Sequence, residues 1–331
     1  MAFIDDTNLH SEQGFEVVKK VGKREIRYAI HDIDGTHSLI RDWQPTMSIT
    51  IHHAMTCGLE EGFDSDKEIS KLIKNAGTKA LPETDKFCIE SAGLSALTQM
   101  EFGIRRAIEE NAIPDELRNS LTKDDFIVNS EIVKRIWNGE ERFNDLHESA
   151  ALTKFIEAKT PLLFKMYESV LNGACRDKNT AEAWNAPEKW RVPGSLEFIQ
   201  YLQSIGIINY FVTGAVIYNE GGMYEEVKSL RYEIGKGKTI EALVGSSWDQ
   251  KQPKDEVMKK LFRELKIDPK EVLVVGDGRT EISSGVSMGC VVISRLPSDS
   301  ERLRQMHIGF GTNFILDDYR KPALFKIFQR G

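Results

Sequence analysis

From about residue 194 to the end of the chain, short apolar segments alternate with amphipathic segments of helical length. Five apolar runs have the length of strands: IINYFV, EALVG, EVLVVG, CVVIS and TNFIL, which we expect to be the last strand. Helical periodicity marks the intervening segments SLEFIQYLQSIG, MYEEVKSLRYEIG and KDEVMKKLFREL. Short buried strands separated by helices form a parallel sheet that is covered on both faces. The sequence therefore predicts an α/β fold with a doubly wound parallel sheet.

The first strand of this sheet, EIRYAIH at residues 25–31, stands far from the others in the sequence. Between it and the second strand, residues 41–190 contain no convincing strand and several helical stretches, the last of which we expect Pro161 to break or kink. We therefore predict an all-helical domain at 41–190, inserted into a core built from residues 1–40 and 191–331. Residues 1–23 form an extension to which the sequence assigns no role.

Length and charge restrict the classes of function. The chain has 331 residues, of which 40% are hydrophobic, and a net charge of −7, so we expect two domains and no nucleic-acid partner. Its four cysteines form no CxxC pair, the N-terminus MAFIDDTNLHSEQGF does not resemble a signal peptide, and no apolar run reaches the roughly 20 residues of a membrane span. We expect a cytoplasmic protein that does not interact with membranes, and the sequence leaves its oligomeric state open.

Polar residues follow the predicted strands at the points where the strands end. In doubly wound sheets, ligands bind outside the carboxyl ends of the strands, so these side chains should meet at one edge. Lys254 joins them because it opens the helix before the strand EVLVVG. The candidate site residues are Asp32, Asp34, Thr213, Gly214, Lys254, Asp277 and Glu281.

This set of residues suits the transfer of a phosphoryl group. A phosphate monoester is nearly a dianion and would be repelled by a carboxylate nucleophile, unless a hard divalent cation such as Mg²⁺ shares oxygen ligands between protein and phosphate. Asp32 and Asp277 would supply ligands, while Thr213 and Lys254 would hold the remaining phosphate oxygens. Asp34, two residues beyond Asp32, faces the same side of an extended chain and could move a proton.

Four motifs in order, DIDGT, FVTGA, PKDEV and VVGDGRTE, resemble those of the haloacid dehalogenase-like (HAD) hydrolase superfamily, over roughly residues 25–40 and 194–318. The resemblance implies a Rossmann-like core, a Mg²⁺-dependent phosphatase activity on a small phosphorylated metabolite, and a helical cap domain that closes over the site and selects the substrate. It also implies a role for each candidate residue. Asp32 is then the nucleophile and a metal ligand. Asp34 is the acid/base, and its backbone carbonyl oxygen also binds the metal. Thr213, Gly214 and Lys254 bind phosphate, and the further metal ligands are Asp277 and Glu281.

Two positions depart from the family pattern. His37 stands where the family often has leucine after DGT, and Glu281 replaces the second aspartate of the fourth motif. Lys251 competes with Lys254 for the role of the phosphate-binding lysine, although Lys254 is favoured because it opens the helix.

Other functions remain open. A phosphomutase, or a phosphonate C–P hydrolase that uses a lysine such as Lys165, could employ the same core. A non-catalytic protein that binds phosphate or a partner could retain it as a scaffold. A nicotinamide-dependent dehydrogenase is disfavoured, because Glu281 takes the place of the third glycine in GDGRTE.

Overall fold

A computed structural model describes residues 2–91, 94–217, 221–246 and 253–330 of the chain. The chain divides into two compact units. The core unit consists of Met1–Ile40 and Asn179–Gly331, and the helical unit of Arg41–Lys178. A long helical segment therefore separates the two stretches of chain that make up the core unit.

The boundary after the insertion differs from the predicted one. The sequence interpretation placed residues 179–190 in the helical domain, whereas they belong to the core unit. The side-chain amide of Asn179 donates a hydrogen bond of 2.7 Å to the carbonyl oxygen of Ile40, at the end of the first core segment. The chain therefore re-enters the core unit at residue 179, about a dozen residues before the position that the change in sequence pattern indicates.

The core unit contains a large, mostly parallel sheet. Its strands and those of a second, small sheet are β1 (Ala2–Ile4), β2 (Phe15–Val17), β3 (Arg24–Ile26), β4 (Tyr28–His31), β5 (Ile208–Val216), β6 (Ala242–Ser246), β7 (Val272–Gly276), β8 (Val291–Arg295), β9 (Phe314–Leu316) and β10 (Phe328–Arg330). The large sheet has the order β2-β9-β8-β7-β4-β5-β6, and only the pair of β2 with β9 is antiparallel. Counted along the chain from β4, the six parallel strands have the order 3-2-1-4-5-6, which is that of the Rossmann fold. The predicted fold class is confirmed.

The N-terminal extension is part of the core. β1 lies between β10 and β3 in a three-stranded antiparallel sheet, and β2 forms the edge of the large sheet beside β9. The prediction that TNFIL is the last strand is therefore wrong, since β10 follows it. Three-residue strands that pair with the opposite end of the chain leave no periodicity in the sequence from which they could be predicted.

The helical unit contains no strand among its described residues. Its helices are α1 (Trp43–Thr56), α2 (Asp66–Asn75), α3 (Pro82–Glu90), α4 (Ala96–Glu109), α5 (Asp115–Ser120), α6 (Lys123–Trp137), α7 (Ala150–Leu171) and, crossing into the core unit, α8 (Asp177–Ala183). α7 continues through Pro161, so the predicted break does not occur. The buried Arg105 on α4 forms two ion pairs. Its Nη2 lies 2.8 Å from Glu101 Oε1, and its Nη1 lies 2.6 Å from Glu148 Oε1. Within the described residues, every helix is too short or too polar to span a membrane.

Helices cover both faces of the large sheet. They are α9 (Ser195–Ser204), α10 (Gly222–Ser229), α11 (Lys254–Leu265), α12 (Arg279–Met288), α13 (Glu301–Phe310) and α14 (Pro322–Lys326). All five residues of β7 are buried, as expected for a strand that lies between two helical layers. α10 ends earlier than the predicted helix 223–235, because Arg231 adopts a left-handed conformation with φ of 68° that a helix cannot continue.

Candidate active site

The candidate site lies where the strand order of the sheet reverses, between β4 and β7. These neighbouring parallel strands are in register, with His31 opposite Val275. Asp32 and Asp277 are the next residues after β4 and β7, and the backbone N–H of Asp32 donates to the carbonyl oxygen of Val275 at 2.9 Å. The strand register therefore brings the two aspartates to one edge, at the position where doubly wound sheets bind ligands.

A lysine and three acids form a compact cluster at this edge. Carboxylate oxygens of Asp32, Asp277 and Glu281 all lie within 4.8 Å of one another. Lys254, the first residue of α11, is only 4% exposed, and its Nζ lies 2.5 Å from Asp32 Oδ1 and 3.0 Å from Glu281 Oε2. Four of the seven candidate residues thus form one cluster. Lys254 contacts Asp32 and Glu281, and the three carboxylates are close enough to bind one ion. The competing residue Lys251 lies outside the described residues.

The charges of the cluster are unevenly compensated. Burial raises the pKa of Asp32, although the adjacent Lys254 ammonium opposes this effect. Burial and the negative charge of Asp32 raise the pKa of Asp277 well above its usual value. Burial would also raise the pKa of Glu281, but Lys254 and backbone N–H groups outweigh it and lower that pKa. Asp277 is therefore the carboxyl group whose ionised form most needs additional positive charge.

Glu281 holds the lysine in place. It lies in the first turn of α12, where Oε1 accepts a hydrogen bond from the backbone N–H of Gly278 and Oε2 faces Lys254. Gly276 permits this fold-back, since a Cβ there would lie 2.3 Å from the Glu281 side chain. The longer carboxylate therefore caps a helix and orients an ammonium at the same time.

Thr213, Gly214 and Asp34 lie at the same edge of the sheet. Thr213 and Gly214 belong to β5, which pairs in parallel with β4 such that Phe211 is opposite His31. Thr213 is 4% exposed, and its hydroxyl accepts a hydrogen bond from the backbone N–H of Ala215 at 3.1 Å. Asp34 lies in the turn after β4, where it bridges to Ser38.

Two residues that the sequence analysis did not single out stabilise this turn. The hydroxyl of Thr36 donates to Asp277 Oδ1 at 2.8 Å, and Arg295 Nη1 donates to the carbonyl oxygen of Gly35 at 2.9 Å. The threonine of DIDGT was visible as part of the motif. The role of Arg295 could be recognised only once the order of the strands was known, because Arg295 ends β8, which lies beside β7 in the sheet.

The donor set fits a small, hard divalent cation. Asp32, Asp277 and Glu281 offer only oxygen atoms, and these lie close enough to surround one ion. The raised pKa of Asp277 indicates a buried acid that lacks compensating charge, and a Cβ at Gly35 would lie 2.1 Å from Asp277 Oδ2. The site therefore has the negative charge that a bound cation would neutralise. The missing side chain of Gly35 leaves room for the Asp277 carboxylate that would hold the cation.

Gly35→Ala is expected to lower the turnover number about 10-fold or more, because the new Cβ must displace the Asp277 carboxylate. Gly22→Ala is the matched control. Gly22 has φ of 72° against 77° for Gly35, and a Cβ there would meet nothing within 4 Å. Both variants should lose about 1–2 kcal/mol of stability through left-handed strain, as measured by denaturant unfolding, and only Gly35→Ala should lose activity. Equal turnover numbers in the two variants would contradict this role of Gly35.

Several solved structures resemble the chain weakly. A candidate phosphoglycolate phosphatase from Lactobacillus delbrueckii is 13% identical, with 90% of this chain and 97% of that chain covered and a TM-score of 0.48. A β-phosphoglucomutase from Clostridium difficile is 12% identical, with 91% and 96% covered and a TM-score of 0.44. A HAD family hydrolase from Deinococcus radiodurans with bound phosphate and sodium is 10% identical, with 92% and 97% covered and a TM-score of 0.42. Likenesses at this level define neither substrate nor reaction.

No curated protein sequence matches the chain. The family described as haloacid dehalogenase-like hydrolase, by contrast, matches residues 95–289, which is more than half of the chain and includes Thr213, Lys254, Asp277 and Glu281. Together with the Rossmann strand order and the lysine–carboxylate cluster at its switch point, this match identifies the chain as a member of the haloacid dehalogenase-like hydrolase family.

Proposed function

We propose that this hydrolase is a Mg²⁺-dependent phosphatase that cleaves a small phosphorylated metabolite through an aspartyl-phosphate on Asp32. The observation that carries the proposal is the buried Lys254 ammonium, which lies between Asp32 Oδ1 and Glu281 Oε2. A carboxylate oxygen of Asp277 lies within 4.8 Å of oxygens of both Asp32 and Glu281. A nucleophile, a fixed positive charge and a second anionic ligand thus surround one point, as transfer of a dianionic group requires.

Asp32 is the proposed nucleophile. A carboxylate oxygen of Asp32 attacks phosphorus, and the bond from phosphorus to the leaving oxygen breaks. Asp34 gives its proton to that oxygen, so the product leaves as a neutral alcohol. When bound by Asp32 and Asp277, Mg²⁺ would supply the positive charge against which a carboxylate and a phosphoryl dianion can approach each other.

Asp34 acts again in the second half of the reaction. Now ionised, it takes a proton from a water molecule whose oxygen attacks the phosphorus of the aspartyl-phosphate. Inorganic phosphate leaves, the Asp32 carboxylate is regenerated, and Asp34 carries the proton for the next cycle. Lys254 and the Thr213 hydroxyl hold phosphoryl oxygens in both steps, with backbone N–H groups such as that of Gly214. Glu281 keeps Lys254 oriented and is the third carboxylate that would bind the cation.

A panel of phosphate monoesters and phosphonates tests this proposal. Sugar phosphates, phosphoglycolate, nucleotides and phosphonates are incubated with the full chain, with Mg²⁺ or with a chelator, and released phosphate is measured. We expect release from a subset of small monoesters in Mg²⁺ and none in the chelator. Equal release in both conditions would contradict the role of the cation.

Two other functions would give different products from the same panel. A phosphomutase would return an isomerised sugar phosphate instead of free phosphate. A C–P hydrolase would act on a phosphonate and, if it forms an imine on Lys165, would be inactivated by borohydride in the presence of that substrate. Binding of phosphate without any product would instead favour a non-catalytic protein.

A further inference from the structure

Two buried histidines bracket the turn that carries the proposed catalytic aspartates. His31 immediately precedes Asp32, and His37 immediately follows Thr36. Both histidines are 0% exposed, and Nδ1 of His31 lies 3.0 Å from Nε2 of His37. A leucine at position 37 could fill such a space without any polar atom, so the buried imidazole pair requires a physical reason.

Asn209 on β5 determines where the proton of His31 lies. The side-chain N–H groups of Asn209 donate to the carbonyl oxygens of Ile199 and Thr239, both at 3.2 Å. The opposite amide orientation would place Oδ1 against two carbonyl oxygens, so Oδ1 must face His31 Nε2, which lies 3.1 Å away. An amide oxygen only accepts hydrogen bonds. His31 therefore carries a proton on Nε2.

The remaining protons follow from neutrality. Both rings are fully buried, and within the described residues their nitrogens contact only each other, the Asn209 amide oxygen and hydroxyl groups, so no carboxylate compensates a positive charge on either ring. Each ring therefore has one proton near pH 7. Nδ1 of His31 must accept, so Nε2 of His37 donates to it. Nδ1 of His37 then accepts from the Ser195 hydroxyl at 2.7 Å, and the Ser195 oxygen accepts from the hydroxyl of Tyr232.

The hydrogen bonds thus run in one direction, from Tyr232 to Asn209. Nε2 of His37 also lies 3.4 Å from the Tyr319 hydroxyl, which is farther than the 3.0 Å to Nδ1 of His31. This series of hydrogen bonds connects the start of α9, the end of β4, the turn after β4, and β5. Because a buried donor or acceptor that loses its partner is costly, the arrangement disfavours any alternative position of either ring.

A second set of contacts leads from His37 to the acid cluster. The Tyr319 ring stacks on His37 with ring centroids 4.9 Å apart, and its hydroxyl donates to the carbonyl oxygen of Thr36 at 3.0 Å. The Thr36 hydroxyl in turn donates to Asp277 Oδ1. A change at His37 therefore reaches Asp277 through two neighbouring residues as well as Asp32 through His31.

We propose that His31 and His37 are positioning residues, whose mutual hydrogen bond, with both rings in the Nε2–H form, fixes the turn that carries Asp32 and Asp34. The catalytic consequence rests on the phosphatase function proposed above, whereas the proton positions do not. Displacement of reacting groups by about 1 Å can lower a rate about 100-fold, so a loosened turn should affect turnover more than substrate binding.

The proton positions are tested first, by NMR of the full chain with ¹⁵N-labelled histidine at pH 7. We expect His31 and His37 each to show a protonated Nε2 and an unprotonated Nδ1, with the resonances assigned from His31→Gln and His37→Gln variants. A protonated Nδ1 on either ring, or exchange between the two forms, would overturn the proposal. This measurement does not depend on turnover, so a protein without phosphatase activity would refute the proposed function alone.

Kinetics test the positioning effect. His37→Leu is expected to lower kcat about 10- to 100-fold with a KM within about threefold of the wild type. His37→Gln, whose amide can both donate and accept, should recover part of kcat. Asn313→Ala is the control, since it removes buried hydrogen bonds to Val292 and Lys19 beside β9, away from the turn. Its stability should fall and its kcat should not.

Unchanged kcat in His37→Leu would overturn the positioning role. So would an equal loss of kcat in Asn313→Ala, because the effect would then follow stability alone. Should His37→Leu fail to fold, the comparison of His37→Gln with the wild type, together with the NMR measurement, decides the question.

Discussion

Asp32→Asn is expected to abolish turnover, with kcat lowered by at least about 10³-fold. The amide is nearly isosteric with the carboxylate but cannot attack phosphorus. The fold should be retained, because the substitution removes one negative charge from a buried cluster that also contains Asp277 and Glu281. Phosphate release from the best ester of the panel, measured in excess Mg²⁺, gives the rate, and circular dichroism reports the fold.

Asp268→Asn is the matched control for this loss of charge. Asp268 is exposed, precedes β7 at the opposite end of the strand, and caps a helical turn by accepting from the backbone N–H of Lys270, which asparagine can also do. Its kcat should equal that of the wild type. Substantial turnover in Asp32→Asn would rule out Asp32 as nucleophile and with it the aspartyl-phosphate mechanism.

Lys254→Met is expected to destabilise the core unit by about 3–5 kcal/mol in the presence of a chelator. Methionine has a similar length but no charge, so Asp32 and Glu281 would lose the ammonium that lies 2.5 and 3.0 Å from them. The pKa of Lys254 is raised because these two carboxylates outweigh the effect of burial, so the lysine is charged in the folded protein at pH 7. Denaturant unfolding in the chelator measures the loss.

Addition of Mg²⁺ should restore part of the stability of Lys254→Met, because a bound cation replaces some of the missing positive charge. Activity should remain low, since the phosphoryl group also loses a partner. Lys259→Met is the control on the same helix. Lys259 pairs with Asp255 and Glu256 while its side chain is 37% exposed, so its loss should change stability by less than about 1 kcal/mol. Equal losses in the two variants would show that Lys254 holds no special position.

Four candidate residues could be placed together from the sequence because each follows or precedes a strongly apolar segment. Asp32 and Asp277 follow strands that read as buried without any tertiary information, and Lys254 and Glu281 lie at the first turns of the adjoining helices α11 and α12. Local patterns of this kind survive folding, since a parallel sheet necessarily gathers the carboxyl ends of its strands at one edge. The same logic has no access to β1 and β10, which are three residues long and pair across the whole length of the chain.

The sequence by itself determined that this chain builds a doubly wound sheet with a helical insertion, and that acids, a lysine and a hydroxyl gather where the strands end. Only the tertiary structure decided that His37 takes part in a series of buried hydrogen bonds and that Arg295 donates to the backbone carbonyl oxygen of Gly35. The reason is physical. Alternation of apolar and polar residues reports which side of a strand or helix is buried, whereas the partner of a buried polar group depends on which strands become neighbours, and that is known only once the sheet is assembled.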